Sequence, residues 1–193
     1  MDIANAESNG YKKLAGAVRA FCYDFRGKTV LDIGSSTGGF TKVALERGAR
    51  RVVAIEKGTR QMQSPLRYDK RVELHEKTDF FEVEKGERFG LEAPVDTIVA
   101  DVSFVSLRRI LEKAREFADG RTEFLVMLKP QFEARKEQLW KGVVKNEKMR
   151  REIIREFEGW LKWERFLVLK KRDNEVAGRN GNLERFYLLK MGK

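Results

Sequence analysis

The chain has 193 residues, a hydrophobic fraction of 41%, and 40 Lys and Arg against 30 Asp and Glu, a formal charge of +10. One compact domain over 1–193 fits that length and apolar content, while the lone Cys22 and lone His75 exclude a disulfide framework and a Cys- or His-based metal site. The cation surplus sets up a field that attracts polyanions, nucleic acid first; with no signal-peptide pattern in Met1-Asp2-Ile3-Ala4-Asn5 and no run near the ~18 apolar residues of a membrane span, the expected location is cytoplasmic.

Taken in order, Tyr11 to Phe25 presents Leu14, Val18, Phe21 and Cys22 at helical spacing, an N-terminal helix within residues 10–25. Val30 to Gly34 reads as the end of a buried strand. A helix follows over Thr41 to Arg47, closed by Gly48. Arg51 to Glu56 is a second strand, Arg60 to Tyr68 a short helix despite Pro65, and Val72 to His75 a third strand. Val95 to Asp101 is a fourth strand, ending on a carboxylate. Ser106 to Ala118 is helical through Leu107, Ile110, Leu111 and Ala114. Glu123 to Leu128 is a fifth strand, stopped by Lys129-Pro130. Lys145 to Trp160 is a basic amphipathic helix. Trp163 to Lys170 and Phe186 to Leu189 are the last strands, and the turn-rich Asn174 to Asn182 between them predicts an antiparallel pair. Strands alternating with helices define an α/β architecture with a mostly parallel sheet.

The segment Asp32-Ile33-Gly34-Ser35-Ser36-Thr37-Gly38-Gly39-Phe40 is a strand running through a glycine-rich turn into a helix, the place where doubly wound folds bind cofactors. It lacks the Gly-Lys-Ser/Thr of a P-loop, and its spacing is not the G-x-G-x-x-G of a dinucleotide site. Asp32 would repel a pyrophosphate and suits a cationic ligand such as S-adenosylmethionine, which carries a sulfonium and an amino group. Glu56, about twenty residues on, can accept from ribose hydroxyls and fits NAD equally well. Asp79 can take an adenine amino group, with Phe80 against the ring. Asp101 ends a strand and points into the crevice.

Val30 to Thr41, Val99-Ala100-Asp101-Val102-Ser103-Phe104-Val105-Ser106-Leu107-Arg108, Leu128 to Glu133 and Gly181-Asn182-Leu183-Glu184 together resemble the hemolysin A-like (TlyA-type) ribosomal RNA methyltransferases. These belong to the FtsJ/RrmJ-like 2′-O-methyltransferases. The resemblance runs from about Ser8 to the end of the chain. It implies a Rossmann-like S-adenosylmethionine-dependent methyltransferase fold: a mostly parallel seven-stranded sheet with an antiparallel C-terminal strand and helices on both faces. It also implies a Lys-Asp-Lys-Glu tetrad, which falls on Lys13, Asp101, Lys129 and Glu184, with Lys12 a rival for the first place. The cofactor set is then Asp32, Gly34, Ser35, Ser36, Thr37, Gly38, Gly39, Phe40, Glu56, Asp79, Phe80 and Asp101, with no metal.

A ribose hydroxyl is a weak nucleophile near neutral pH, so such an enzyme must align it and help remove one proton. A lysine serves as base if burial or a second cation lowers its pKa. Lys129 is the expected base, Asp101 and Glu184 position it, and Lys13 fixes the substrate. The expected partner is RNA: ribosomal RNA or ribosomal subunits.

Three features depart from the family pattern. Tyr11 and Lys12 replace residues of a usual Gly-Gly-Leu-Lys-Leu segment, and Arg185 follows Glu184 where an apolar residue is usual. Family members usually carry an S4-type RNA-binding domain ahead of the catalytic one. Only about ten residues precede the first helix here, so no S4 domain is expected. RNA capture then rests on surface cations, with Arg60, Arg67, Arg108, Arg109, Lys136 and Lys141 as candidates. A methyltransferase acting on protein or a small molecule is the rival reading. A membrane-active, hemolysin-like protein is a weaker one, lacking spanning runs and long barrel strands.

Overall fold

A computed structural model of the chain describes residues 8–62, 64–176, 178 and 181–192. The opening Met1–Asn5 and three residues of the turn-rich segment (177, 179 and 180) lie outside the described residues.

Five strands run parallel: β1 (Thr29–Ile33), β2 (Arg51–Ile55), β3 (Val72–His75), β4 (Thr97–Ala100) and β5 (Glu123–Leu128). Beyond a two-stranded hairpin of β6 (Leu139–Trp140) and β7 (Val143–Val144), the chain adds β8 (Phe166–Asp173) and β9 (Arg185–Met191). The seven-stranded sheet has the order β3-β2-β1-β4-β5-β9-β8, with β9 antiparallel to both neighbours. The order reverses between β1 and β4, which makes a crevice at their carboxyl ends.

Alternation within buried strands sends side chains to two cores. Leu31, Ile33, Ile98, Ala100, Val126 and Leu128 face α3 (Leu107–Ala114) and α5 (Glu147–Trp163). Val30, Val52, Ala54, Val99, Leu125 and Met127 face α1 (Asn9–Phe21) and α2 (Gly39–Glu46). Helices thus cover both faces, and the mostly parallel sheet with one reversed strand stands as the sequence implied.

Register places the site. His75, Ile55, Ile33, Ala100 and Val126 form one row across the sheet. The next residue on each of the three central strands is Glu56, Gly34 or Asp101, so these emerge side by side at one edge. Leu128 pairs with Arg185, so Lys129 leaves β5 where Glu184 enters β9.

Several boundaries differ from the sequence reading. Ser8 caps α1 by accepting the Tyr11 N–H (3.1 Å), and α1 stops at Cys22 in a left-handed conformation (φ 49°) rather than continuing to Phe25. Burial overrides periodicity there: Phe25 is fully buried, and the Tyr23 and Thr97 hydroxyls share a hydrogen bond (2.7 Å). Where a short helix is expected over Arg60 to Tyr68, the described residues form turns and bends with a 3-10 segment at Leu66–Tyr68. Arg60 is left-handed (φ 53°) and Pro65 has no N–H to donate. Trp163 closes α5 instead of opening β8, because its ring is largely exposed while Phe157 and Leu161 continue the helical stripe inward.

Candidate active site

Gly34 (φ 79°) turns the chain out of β1, and the Gly34 and Ser35 N–H groups both donate to the Ile55 carbonyl (2.9 and 3.1 Å). Asp32 lies beneath this turn, wholly buried. Its Oδ2 accepts from the Thr41 hydroxyl (2.6 Å), and its Oδ1 is buried without a hydrogen-bond partner, as is Ser35 Oγ. Burial first, then the carboxylates of Asp101 and Glu56, push the Asp32 carboxyl up to about 7, against the pull of Thr41. A buried carboxylate oxygen and a buried hydroxyl, each without a partner at this turn, fit a cationic, hydrogen-bonding ligand better than a phosphate.

The closing glycines act on the protein itself. A side chain at Gly38 (φ 88°) would overlap Leu66, and a Cβ at Gly39 would lie 2.6 Å from both Ser8 Oγ and the Tyr11 nitrogen. Gly39 therefore lets the first turn of α1 sit on the start of α2. Phe40 is buried against Phe186, with ring centroids 6.0 Å apart, and Ser36 and Thr37 are exposed at the turn's crest.

Glu56 braces the turn. It accepts the Ser36 N–H (2.8 Å) and the Gly58 N–H (2.6 Å). Asp79 accepts the Phe81 N–H (3.1 Å) and pairs with Lys57 (2.8 Å), which holds its carboxyl below the usual range. Phe80 enters the core against Phe117 (5.8 Å), while the half-exposed Phe81 carries the Arg109 guanidinium over its ring (4.8 Å). Asp32, Glu56 and Asp101 are thus brought together; Asp79 stands at the rim, and the Phe80 ring packs beneath the surface.

At the other end of the edge stand two ion pairs. Lys13 Nζ lies 2.5 Å from Glu184, both buried, and Lys129 Nζ lies 2.6 Å from Asp101. Lys129 also donates to Ser103 Oγ (2.9 Å). Lys12 is exposed, so α1 turns Lys13 toward Glu184. Gly10 brings α1 against Asp101: a Cβ there would lie 3.8 Å from its Oδ2. Arg185 keeps the β9 register by pairing with Asp173 (2.6 Å) and Glu158 (3.5 Å).

Further residues support these pairs. Glu133, in α4 (Pro130–Glu133) just after Lys129, accepts the Leu107 N–H (2.6 Å) and the Ser106 hydroxyl (2.8 Å) and lies 3.3 Å from Arg108. Burial raises its carboxyl's pKa. Asn182 accepts the Val144 N–H and donates to the Gly142 carbonyl, both at 3.1 Å, which fixes the β6–β7 hairpin beside Glu184. Phe104, left-handed (φ 65°) and 92% exposed, meets Phe132 at 5.3 Å. All four lie inside the motifs quoted above, but composition and spacing gave them no role. Of the cations considered for phosphate, Arg67 pairs with Glu76 (2.6 Å) and Arg108 with Glu133, while Arg60, Arg109, Lys136 and Lys141 are exposed.

A Rossmann-like sheet with a glycine-rich turn and two lysine–carboxylate pairs at one edge is the fold of the S-adenosylmethionine-dependent methyltransferases. The chain belongs to the FtsJ-like methyltransferase family, whose model matches residues 6–191. It is 34% identical over 178 residues to YqxC of Bacillus subtilis, described as a candidate rRNA methyltransferase, covering 92% of this chain and 63% of that one. It is 42% identical over 137 residues to the 16S/23S rRNA (cytidine-2′-O)-methyltransferase TlyA of Mycobacterium tuberculosis, covering 71% and 50%. A solved structure of a candidate hemolysin from Streptococcus thermophilus superposes with a TM-score of 0.90 at 31% identity, covering all of this chain and 69% of that one. The chain thus spans about half to two-thirds of the length of these relatives.

Proposed function

We propose that the chain is an S-adenosylmethionine-dependent RNA methyltransferase that methylates a ribose 2′-OH in ribosomal RNA. The observation that carries this reading is the pairing of Lys129 with Asp101 and of Lys13 with Glu184 on the same sheet edge as the orphaned Asp32. The relatives named as rRNA methyltransferases support the acceptor, and the charge of +10 supports a polyanionic one.

S-adenosylmethionine supplies, when bound, a methyl carbon on a sulfonium that is a good leaving group. Asp32 and Ser35 would hold its polar groups at the turn, Glu56 its ribose and Asp79 its base. Lys13 and Glu184 fix the acceptor ribose. Asp101 and Ser103 orient Lys129 toward the 2′-hydroxyl. Lys129 would accept the hydroxyl proton and return it to solvent, and S-adenosylmethionine would supply the methyl group. Phe104 and Phe132 offer an aromatic pair for a nucleobase beside that ribose.

Labelled methyl transfer to ribosomal subunits and to naked ribosomal RNA tests the reading, with the product mapped by nuclease digestion. A 2′-O-methyl nucleotide is the expected product; label on a base, or on protein alone, would refute the assignment.

A further inference from the structure

α1 has a second functional face. Lys13 turns inward, whereas Lys12, Gly16 and Arg19, spaced four and three residues apart, share an outward stripe. Opposite them lie Arg47 at the end of α2 and the segment 172–176 at the end of β8, and the space between is a cavity of ≈ 320 Å³. Its wall adjoins the acceptor pair at two points. Lys12 is the chain neighbour of Lys13, and the Asn174 N–H donates to the Glu184 carbonyl (2.9 Å).

The charge in this cleft is not balanced. Asp173 is committed to Arg150 and Arg185, and Glu175 to Arg172. Lys12, Arg19 and Arg47 are exposed and have no ion-pair partner among the described residues. The floor is also unusual. A Cβ at Gly16 would meet nothing nearer than an Arg19 guanidinium nitrogen at 4.0 Å, and its backbone is not left-handed, so nothing in the fold demands glycine there. Glycine in a helix interior weakens the helix relative to alanine. What glycine provides at that point is open space between three unpaired cations.

We propose that this cleft holds the phosphodiester backbone of the RNA flanking the target nucleotide, with Lys12, Arg19 and Arg47 contacting phosphates and Gly16 letting the strand lie against α1. The proposal rests on the RNA-methyltransferase reading above. Lys12, one residue from Lys13, fixes the register of the strand, and phosphate contacts of this kind carry no sequence information.

The test compares wild type, the triple variant K12A/R19A/R47A and Gly16→Leu, with ribosomal RNA as probe and inorganic phosphate and AMP as competitors. The triple variant is expected to bind S-adenosylmethionine normally and keep kcat at saturating RNA. Its salt-dependence slope should shrink by about 2, with KM rising roughly tenfold or more. Gly16→Leu keeps every charge and gains helix propensity, so it should weaken RNA binding with no fall in melting temperature. An unchanged slope and KM in the triple variant, while wild type binds RNA, would overturn the proposal. So would wild-type RNA binding by Gly16→Leu, or a mononucleotide or phosphate site lost in the triple variant with RNA binding intact. Wild-type protein that binds no RNA would overturn the underlying reading as well.

Discussion

The two ends of the candidate site share one sheet edge and solve opposite electrostatic problems. At the cofactor end, Asp32 is buried with one hydroxyl for company, and Glu56 is met by backbone N–H groups; neither has a lysine or arginine partner among the described residues. At the acceptor end, Asp101 and Glu184 each carry a lysine of the chain's own. A buried carboxylate without a cation is costly, which is why the Asp32 carboxyl is pushed up to about 7 and why a positively charged ligand would suit this end. The second end is compensated in advance, so its groups are ordered before substrate arrives. Ligand charge is supplied from outside at one end and from within at the other.

Removing the acceptor end's reacting group should have the largest effect. Lys129→Ala is expected to slow methyl transfer roughly 10²- to 10⁴-fold while leaving S-adenosylmethionine affinity within a few-fold of wild type. Single-turnover rates and calorimetric titration separate the two, and near-wild-type turnover would end the base assignment.

Next comes the buried pair. Lys13→Met or Glu184→Leu alone strands the opposite charge and should cost about 3–5 kcal/mol of stability. The double variant should recover much of that loss without recovering activity. Denaturant melts of all four proteins give the coupling directly. Additive losses would mean that the 2.5 Å contact between Lys13 and Glu184 does not hold in solution.

The cofactor end should respond in the other direction. Asp32→Asn removes a charge the fold disfavours, so stability above pH 7 should rise by on the order of 1–3 kcal/mol, while S-adenosylmethionine affinity drops roughly 10- to 100-fold. The Asp32 carboxyl is raised from 3.8 to about 7 in the fold, so between those values the folded chain holds a proton that the unfolded chain has lost. Stability therefore falls as pH rises through that window, and the Asn variant flattens the slope. Cofactor affinity runs oppositely, strengthening as pH rises past about 7 and the carboxylate forms. A pH-independent affinity would remove Asp32 from the binding set.

These ends were unequally legible in the sequence. The strand–turn–helix at Asp32 to Phe40 is a local pattern, legible with its neighbours Glu56 and Asp101 from spacing along parallel strands. The tetrad joins α1, β4, β5 and β9, and no local period links Lys13 to Glu184; only the resemblance to a family brought them together. Gly39 shows the same limit of local pattern. Its missing Cβ makes room for Ser8 and Tyr11, about thirty positions earlier in the chain, a contact that no local period announces. The Arg60 to Tyr68 helix failed because side-chain periodicity says nothing of a left-handed residue at 60.

Glu133 gives the smallest effect and the sharpest division between the ends. It joins the helix after Lys129 to the start of α3, on the chain that follows Asp101 and Ser103, through the Leu107 N–H and the Ser106 hydroxyl. Glu133→Gln keeps the shape but leaves one of those donors facing an amide, at a cost of about 1–3 kcal/mol. The acceptor end owes its order to such ties, so kcat should fall several-fold by loosening Lys129 against Asp101. The cofactor end does not use this tie, so S-adenosylmethionine affinity should hold. Rates and affinities measured on one preparation decide it: a parallel loss of both would show that the two ends are mechanically one, and that the electrostatic contrast between them does not correspond to independent parts.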